Sequence, residues 1–471
     1  MTDQERFQQT KDKLDSIGPG FCLAKWNQVT IHLGTGLNHS CHHPGPHKIS
    51  EAEVLRNPTH LHNTMYKKKC WKEMLEGKRP KECEYCWRIE DSSKEFSDRV
   101  FKSSEPWAAP TFDEIVNSYW LDDYYPRYVE VSFSNRCNFK CLYCAPNFSS
   151  RWNDEAKKYG PVVLPGVPPL NGPIDARSEE RCKDPESNPL VQAFWKWWPE
   201  LFRKVHSFRL TGGEPLLVKE SYEIMDYMIE HIDEAKNLKF FSINTNLGMS
   251  DEQFERFVQQ YEKLAEKIPE LVVFTSIESG KAEAEYVRFG LDYDKFWYRV
   301  EELVKRIPKL TLSIMTTYNV LSMSTYIDTV KRVWELKQKY TTWRRVYGTP
   351  VLLDSSFLRH PSFLDIHTAP KKYRKYLEEC AEFMKARPKG PDKEVTVTQD
   401  GNTWTEWWPD VAFHEVEIEK IVRLLDYFDS TLPGYSVELE RRKLKTFLEE
   451  EDRRRDTNYL DIWKDESSLG L

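Results

Sequence analysis

The chain has 471 residues, ten cysteines and a formal net charge of −7, a length that supports two or three domains with ample core and excludes a single small module. Acidic and basic residues are interspersed, which argues against bulk polyanion binding, though not against a local basic groove, and nucleic acid is not indicated. No stretch reaches the roughly 18 consecutive apolar residues of a membrane span, and the polar start Met-Thr-Asp-Gln-Glu-Arg is unlike a signal peptide. A cytoplasmic protein with no membrane partner is expected, and in a reducing compartment grouped cysteines mean metal or cluster ligation more often than disulfides.

The first 110 residues begin with Phe21-Cys22-Leu23-Ala24-Lys25-Trp26, a short strand over Gln28 to Leu33, a Gly-Thr-Gly turn at 34–36 and a second short strand ending at Cys41. Helices are expected from Ile49 to Leu55 and from Asn63 to Glu76, the latter stopped by Gly77. Cys83-Glu84-Tyr85-Cys86 follows. Cys22, Cys41, Cys83 and Cys86 make one four-thiolate set, which suits a complete [4Fe-4S] cluster or a structural zinc, since both accept four cysteine ligands. His39, His42, His43 and His47 around Cys41 read as surface polar residues, and Cys70 as a free thiol.

Tyr128 to Asn135 alternates apolar Val129, Val131 and Phe133 with polar residues, as a half-buried strand does. It leads directly into Cys137-Asn138-Phe139-Lys140-Cys141-Leu142-Tyr143-Cys144. Three thiolates from one short loop can hold three corners of a cubane [4Fe-4S] cluster and leave the fourth iron open to a small molecule. Zinc normally takes a fourth nearby ligand and paired C-x2-C knuckles, and core cysteines would not crowd a polar loop beside Asn135, Arg136 and Asn138. The spacing C-x3-C-x2-C, with the aromatic Tyr143 before the last cysteine, resembles the cluster loop of radical S-adenosylmethionine (SAM) enzymes. The resemblance implies a SAM-binding [4Fe-4S] cluster at Cys137, Cys141 and Cys144, an external electron donor such as flavodoxin or ferredoxin, and reductive cleavage of SAM to a 5′-deoxyadenosyl radical that abstracts a substrate hydrogen. The N-terminal cysteines are then similar to the auxiliary-cluster modules called twitch or SPASM, which usually follow the radical SAM core and here precede it.

From 128 to about 357 strands alternate with helices, the pattern of βα units and a parallel sheet. The Pro- and Gly-rich stretch from Gly160 to Pro169 reads as an insertion loop, and Cys182 within the same insertion as structural. The aromatic stripe Phe194, Trp195, Trp197 and Trp198 on a helix over 188–203 reads as packing. Val205 to Leu210 is a strand followed at once by Thr211-Gly212-Gly213-Glu214-Pro215, and glycines at a strand end let a backbone approach a ligand closely. By resemblance, Gly212, Gly213 and Glu214 bind the methionine amino group of SAM. Further strands are expected near 239, 271, 310 and 351, which with those at 128 and 205 make six, the number in the family's partial (β/α)6 barrel. Residues at the C-terminal ends of barrel strands face the active site. By resemblance, Ser276 and Glu278 contact the SAM ribose, Asn244 makes polar contacts to SAM, and Arg288 pairs its carboxylate.

Toward the C-terminus a charged amphipathic helix over 370–387, carrying Cys380, ends at Pro388-Lys389-Gly390-Pro391. Trp404, Trp407 and Trp408 and then Val416 to Phe428 read as helical, and the run Glu449 to Arg455 as a solvated, salt-bridged helix face. The expected architecture is α/β: a cysteine-rich module over 1–110, a TIM-like radical SAM core over 120–360 with an insertion at about 150–187, and a mainly helical extension over 361–471. The expected function is a two-cluster radical SAM enzyme acting on a peptide or amino-acid-like substrate. Its rivals are the same chemistry on RNA or a small metabolite, and a non-enzymatic scaffold held together by clusters or zinc.

Overall fold

The protein is described by a computed structural model, which places residues 2–93, 95–341, 348–388, 390, 393–399, 402–408, 411–464 and 469–471. Lys389 and Pro391 of the expected C-terminal break lie outside the described residues. The chain divides into two compact units, Met1–Asn135 with Asp175–Ser242, and Arg136–Ile174 with Ile243–Leu471. Among the described residues no helix is long and apolar enough to cross a membrane.

The first unit is built on parallel strands. Tyr128–Ser132 pairs in parallel with Ser207–Thr211 on one side and, on the other, with Gln28–His32, which the sequence had placed in a separate hairpin. That hairpin is also present: Gln28–His32 pairs antiparallel with Leu37–His39, and Leu37–His39 with His47–Lys48. The register explains why the N-terminal strand joins the βα strands. Val29, Val129 and Phe208 fall in one row, Ile31, Val131 and Leu210 in another, and all six are fully buried. Three alternating strands thus bury one continuous apolar face. The helix Pro189–Lys204 packs on it, with the Trp198 and Phe208 rings 4.6 Å apart, so the aromatic stripe is packing. The opposite face carries the row Thr30, Glu130, Arg209. A second core gathers Leu14, Phe21, Leu23, Trp26, Trp71, Met74 and Ile115, in which Trp26 stacks on Trp71 at 5.5 Å.

In the second unit Thr311–Tyr318 lies between Glu270–Thr275 and Val351–Phe357, parallel to both. The chain passes from the first unit to the second within the strand Phe240–Asn244. Helices Asp251–Ala265, Tyr293–Arg306 and Tyr326–Tyr340 connect the strands, and their apolar stripes are buried. The C-terminal helix Glu415–Asp429 has a definite seat. Glu417, fully buried, pairs with the equally buried Lys337 at 2.9 Å and accepts the Leu353 N–H at 2.8 Å, tying the helix to the strand Val351–Phe357. Residues Lys393–Gln399 and Asn402–Trp408 form an antiparallel hairpin, not the expected helix. The stretch Val395-Thr396-Val397-Thr398 is β-branched throughout, which disfavours helix and suits a pleated ladder.

Candidate active site

The loop from Cys137 to Cys144 belongs to the second unit and is braced from two sides. The helix that follows it, Ser150–Tyr159, satisfies its backbone: Ser149 Oγ donates to the Phe139 carbonyl at 2.7 Å, Ser150 Oγ accepts the Cys137 N–H at 3.2 Å, and Trp152 Nε1 donates to the Cys141 carbonyl at 2.8 Å. Without such partners a half-buried irregular loop would leave polar groups orphaned. On the other side Lys140–Cys141 pairs antiparallel with Arg288–Phe289, and the Leu142 N–H donates to the Val287 carbonyl at 2.8 Å. The close approach requires Gly290, which has φ +109°; a Cβ there would meet the Asn138 carbonyl oxygen at 2.9 Å and the Phe139 ring at 3.1 Å.

The three thiols are partly buried and unpaired by disulfides, and donors are directed at their sulfurs. The Phe139 N–H lies 3.5 Å and Asn246 Nδ2 3.8 Å from Cys137 Sγ, and Arg288 Nη1 lies 4.0 Å from Cys141 Sγ. Burial pushes the Cys141 thiol up and the Cys144 thiol up to about 12. A thiol raised in this way stays protonated until a cation binds its thiolate. Among the described residues no three His, Cys, Asp or Glu side chains converge as ligands of one ion, whereas the thiolates of a cubane each bind a different iron. The donor set fits a cluster held by three cysteines. Of the strand end Asn244-Thr245-Asn246 the sequence singles out Asn244, whereas the structure brings Asn246 to the loop. Asn246 also donates to Asn138 Oδ1 at 2.9 Å, fastening the loop beside Cys137.

Behind the loop stands a buried clamp. Tyr143 Oη donates to Glu278 Oε1 at 2.6 Å, Arg288 Nε donates to Glu278 Oε2 at 2.9 Å, and the Arg288 guanidinium sits 5.5 Å from the Tyr143 ring centre. Glu278 has no exposed surface, and its two oxygens hold Tyr143 and Arg288. Burial drives the Tyr143 hydroxyl far above its ordinary range, so it stays a donor. Ser276 is half-buried just past the strand Glu270–Thr275, and Asn244 ends the strand Phe240–Asn244, also half-buried.

In the first unit the glycine turn follows the strand Ser207–Thr211. Gly212 has φ +133°, and a Cβ there would meet Ser132 Oγ at 2.6 Å and the Ser134 carbonyl oxygen at 3.1 Å. Only glycine is tolerated at this strand end. Glu214 is buried and accepts the Leu216 N–H at 3.0 Å, capping the 3-10 turn that follows.

The same unit brings Cys22, Cys41, Cys83 and Cys86 to the wall of one small cavity, with Lys25, Asp98 and Arg99 beside them. Cys70 and Cys182 are buried outside that wall, and in the second unit Cys380 is buried too. Again the sulfurs receive donors: Ser103 Oγ at 3.9 Å and the Ala24 N–H toward Cys22, the His43 N–H toward Cys41, and the Arg99 N–H toward Cys86. Burial pushes Cys22 up to about 11 and Cys83 and Cys86 to about 12. Lys25, itself buried and paired with buried Glu82, opposes the rise at Cys41 and Cys83. Of the histidines around Cys41, His39, His43 and His47 are built in, whereas His42 is exposed as expected. His43 bonds Asp98 at 2.5 Å and stacks on Tyr85 at 3.6 Å, His39 Nδ1 meets the Cys41 carbonyl at 2.7 Å, and His47 bonds Thr64 at 2.8 Å. They pack because the hairpin folds back on the unit, which their own composition does not reveal.

Residues 131–333 match the family profile of the radical SAM superfamily. This segment is a radical SAM domain, which supports an enzyme of the radical SAM class with its reaction left open. No curated protein matches the chain. Among solved structures it is similar to Streptococcus suis SuiB bound to S-adenosylmethionine, with 13% identity and a TM-score of 0.32 over 78% of this chain and 70% of that one. It is also similar to TYW1 with a lysine-pyruvate adduct bound, with 11% identity and a TM-score of 0.27 over 59% of this chain and 78% of that one.

Proposed function

We propose that the protein is a two-cluster radical SAM enzyme that takes a hydrogen atom from a peptide or amino-acid-like substrate. The observation that carries the first cluster is the braced loop with three half-buried thiols and N–H donors aimed at two of its sulfurs. A [4Fe-4S] cluster at Cys137, Cys141 and Cys144, with SAM on its open iron, supplies one-electron cleavage of the sulfonium bond and a 5′-deoxyadenosyl radical. The chain's own residues position and enclose. Asn246 and the Phe139 N–H hold the Cys137 sulfur, the Tyr143–Glu278–Arg288 clamp fixes the second half of the loop, and the buried surroundings of Cys141 and Cys144 keep water from the iron side. Following the family pattern, Gly212, Gly213 and Glu214 take SAM's amino group, Ser276 and Asn244 its polar remainder, and Arg288 its carboxylate.

The second cluster is assigned to Cys22, Cys41, Cys83 and Cys86, supported by their common cavity and by the donors to three of their sulfurs. It would accept or supply an electron when a substrate radical is converted to product, with flavodoxin or ferredoxin reducing the enzyme. The substrate class follows by analogy with relatives that carry auxiliary clusters. The test is anaerobic reconstitution, counting iron and sulfide and assaying 5′-deoxyadenosine. About eight irons are expected, falling to about four with loss of 5′-deoxyadenosine in Cys137→Ala/Cys141→Ala/Cys144→Ala. One cluster plus zinc in the native protein would overturn the N-terminal assignment, and tight tRNA binding that weakens steeply with salt would redirect the substrate class.

A further inference from the structure

The last turn of the helix Val437–Arg455 reaches the back of the cluster loop. The sequence reads Glu449 to Arg455 as a solvated face, yet Glu451, Arg454 and Arg455 are buried. The Arg455 guanidinium lies 4.8 Å over the ring of Trp152 and 5.4 Å over that of Phe289. Trp152 is the side chain that holds the Cys141 carbonyl, and Phe289 is the residue paired with Lys140 in the two-residue ladder. Arg455 Nη2 stands 3.4 Å from Glu155 and 2.5 Å from Glu451, and Glu155 in turn pairs with Lys140 of the loop. Nε and Nη1 of Arg455 are buried and have no hydrogen-bond partner among the described residues.

The charges in this pocket do not cancel. Lys140 and Arg455 face two carboxyl groups, and burial together with the neighbouring Glu155 pushes the Glu451 carboxyl up to about 7, so near neutrality it is only partly ionised. The surplus positive charge lies one side chain away from Cys141, across the Trp152 ring whose Nε1 holds the Cys141 carbonyl. Arginine keeps its charge even when buried, and in a low-dielectric surrounding a fixed cation stabilises each negative charge added nearby.

We propose that Arg455 is a positioning residue of the radical-generating centre: it braces the cluster loop through Trp152 and Phe289 and raises the reduction potential of the cluster held by Cys137, Cys141 and Cys144. The inference rests on the cluster assignment above. Reduction adds one electron to the cluster with no bond made or broken, so a fixed cation favours the reduced form and its removal disfavours it. The helix Val437–Arg455 is therefore part of the catalytic apparatus, although it lies more than 100 residues beyond the matched domain.

The test is an anaerobic dithionite titration of the reconstituted full chain, followed by electron paramagnetic resonance on the signal that SAM perturbs, with iron content measured in parallel. Arg455→Met is expected to weaken reduction about tenfold, a downward shift of about 59 mV for one electron. Arg455→Lys, which keeps the charge but not the planar stack, should fall between Met and native. Glu451→Gln measured at pH 8, where the carboxyl is mainly ionised, should move the potential upward, and it decides the matter if Arg455→Met does not fold. An unchanged potential in Glu451→Gln and in a folded, iron-replete Arg455→Met overturns the inference while leaving the cluster assignment standing. A native protein with no SAM-perturbed signal overturns both.

Discussion

Glu278 shows how much one carboxylate can organise. It joins Tyr143, next to the last loop cysteine, to Arg288, the residue laddered against Cys141, and it does so with no exposed surface. Removing one partner of a buried ion pair leaves an uncompensated charge and costs several kcal/mol, whereas losing one hydrogen bond to a charged group costs less. Arg288→Met is therefore expected to destabilise the metal-free protein by about 3 kcal/mol and Tyr143→Phe by about 2 kcal/mol, in that order of urea midpoints. Equal midpoints for native and Arg288→Met would show that the clamp carries no structural load. Gly212 is the other position where one atom decides. At φ +133°, with Ser132 Oγ 2.6 Å from a would-be Cβ, Gly212→Ala should cost on the order of 1–3 kcal/mol and weaken SAM binding measured by calorimetry on the reconstituted protein.

The helix Val437–Arg455 reads differently in sequence and in structure. Its alternating charges suit a solvated face, but Glu451 has 1% of its side chain exposed and a carboxyl pushed up to about 7 by burial. The folded protein thus holds a proton that the unfolded chain releases at its ordinary value of 4.5. The contribution is present below about pH 4.5 and is lost as pH rises through about 7. Against Glu451→Gln as reference, thermal unfolding of the metal-free protein should show this decline between pH 5 and 8. A decline of the same size in the variant would assign the effect elsewhere. The hairpin over 393–408 teaches a related lesson: tryptophans beside acidic residues fit an amphipathic helix as well as a strand, and the ladder of Lys393–Gln399 with Asn402–Trp408 decided between them.

Across the whole chain the two cysteine sets lie in different units, Cys22, Cys41, Cys83 and Cys86 in the first and Cys137, Cys141 and Cys144 in the second. Loss of one should therefore spare the other. Cys83→Ala/Cys86→Ala is expected to lose about four irons and to keep the SAM-perturbed resonance signal; disappearance of that signal would mean that the two sites do not assemble independently. The units also differ in their response to acid. In the first, burial holds His32 down to about 4 and His47 to about 3, so both stay neutral in the folded state while the unfolded chain protonates near 6.5. That unit loses stability as pH falls from 6.5 toward 4. Glu130 works the same way lower down: burial pushes its carboxyl up, but His42 and Arg209 bring it to about 2, a contribution lost only as pH falls below its ordinary value of 4.5. Relative to His32→Gln, the native metal-free protein should melt progressively lower at pH 7, 5.5 and 4.5.

What the sequence determined by itself was local. The six strands stand within a few residues of where alternation placed them, beginning at Tyr128, Ser207, Phe240, Glu270, Thr311 and Val351, because side-chain period is a property of the strand alone. The three-cysteine loop and the Gly-Gly turn were legible for the same reason, since cysteine spacing and the need for a missing Cβ are written within a few consecutive residues. The tertiary structure decided everything that depends on a partner distant in sequence. It set Gln28–His32 beside Tyr128–Ser132, gave Glu278 to Tyr143 and Arg288, brought Asn246 to Cys137, and buried Arg455 against Trp152 and Phe289. A charged side chain looks the same in sequence whether water or a folded neighbour covers it, and only the packed chain shows which.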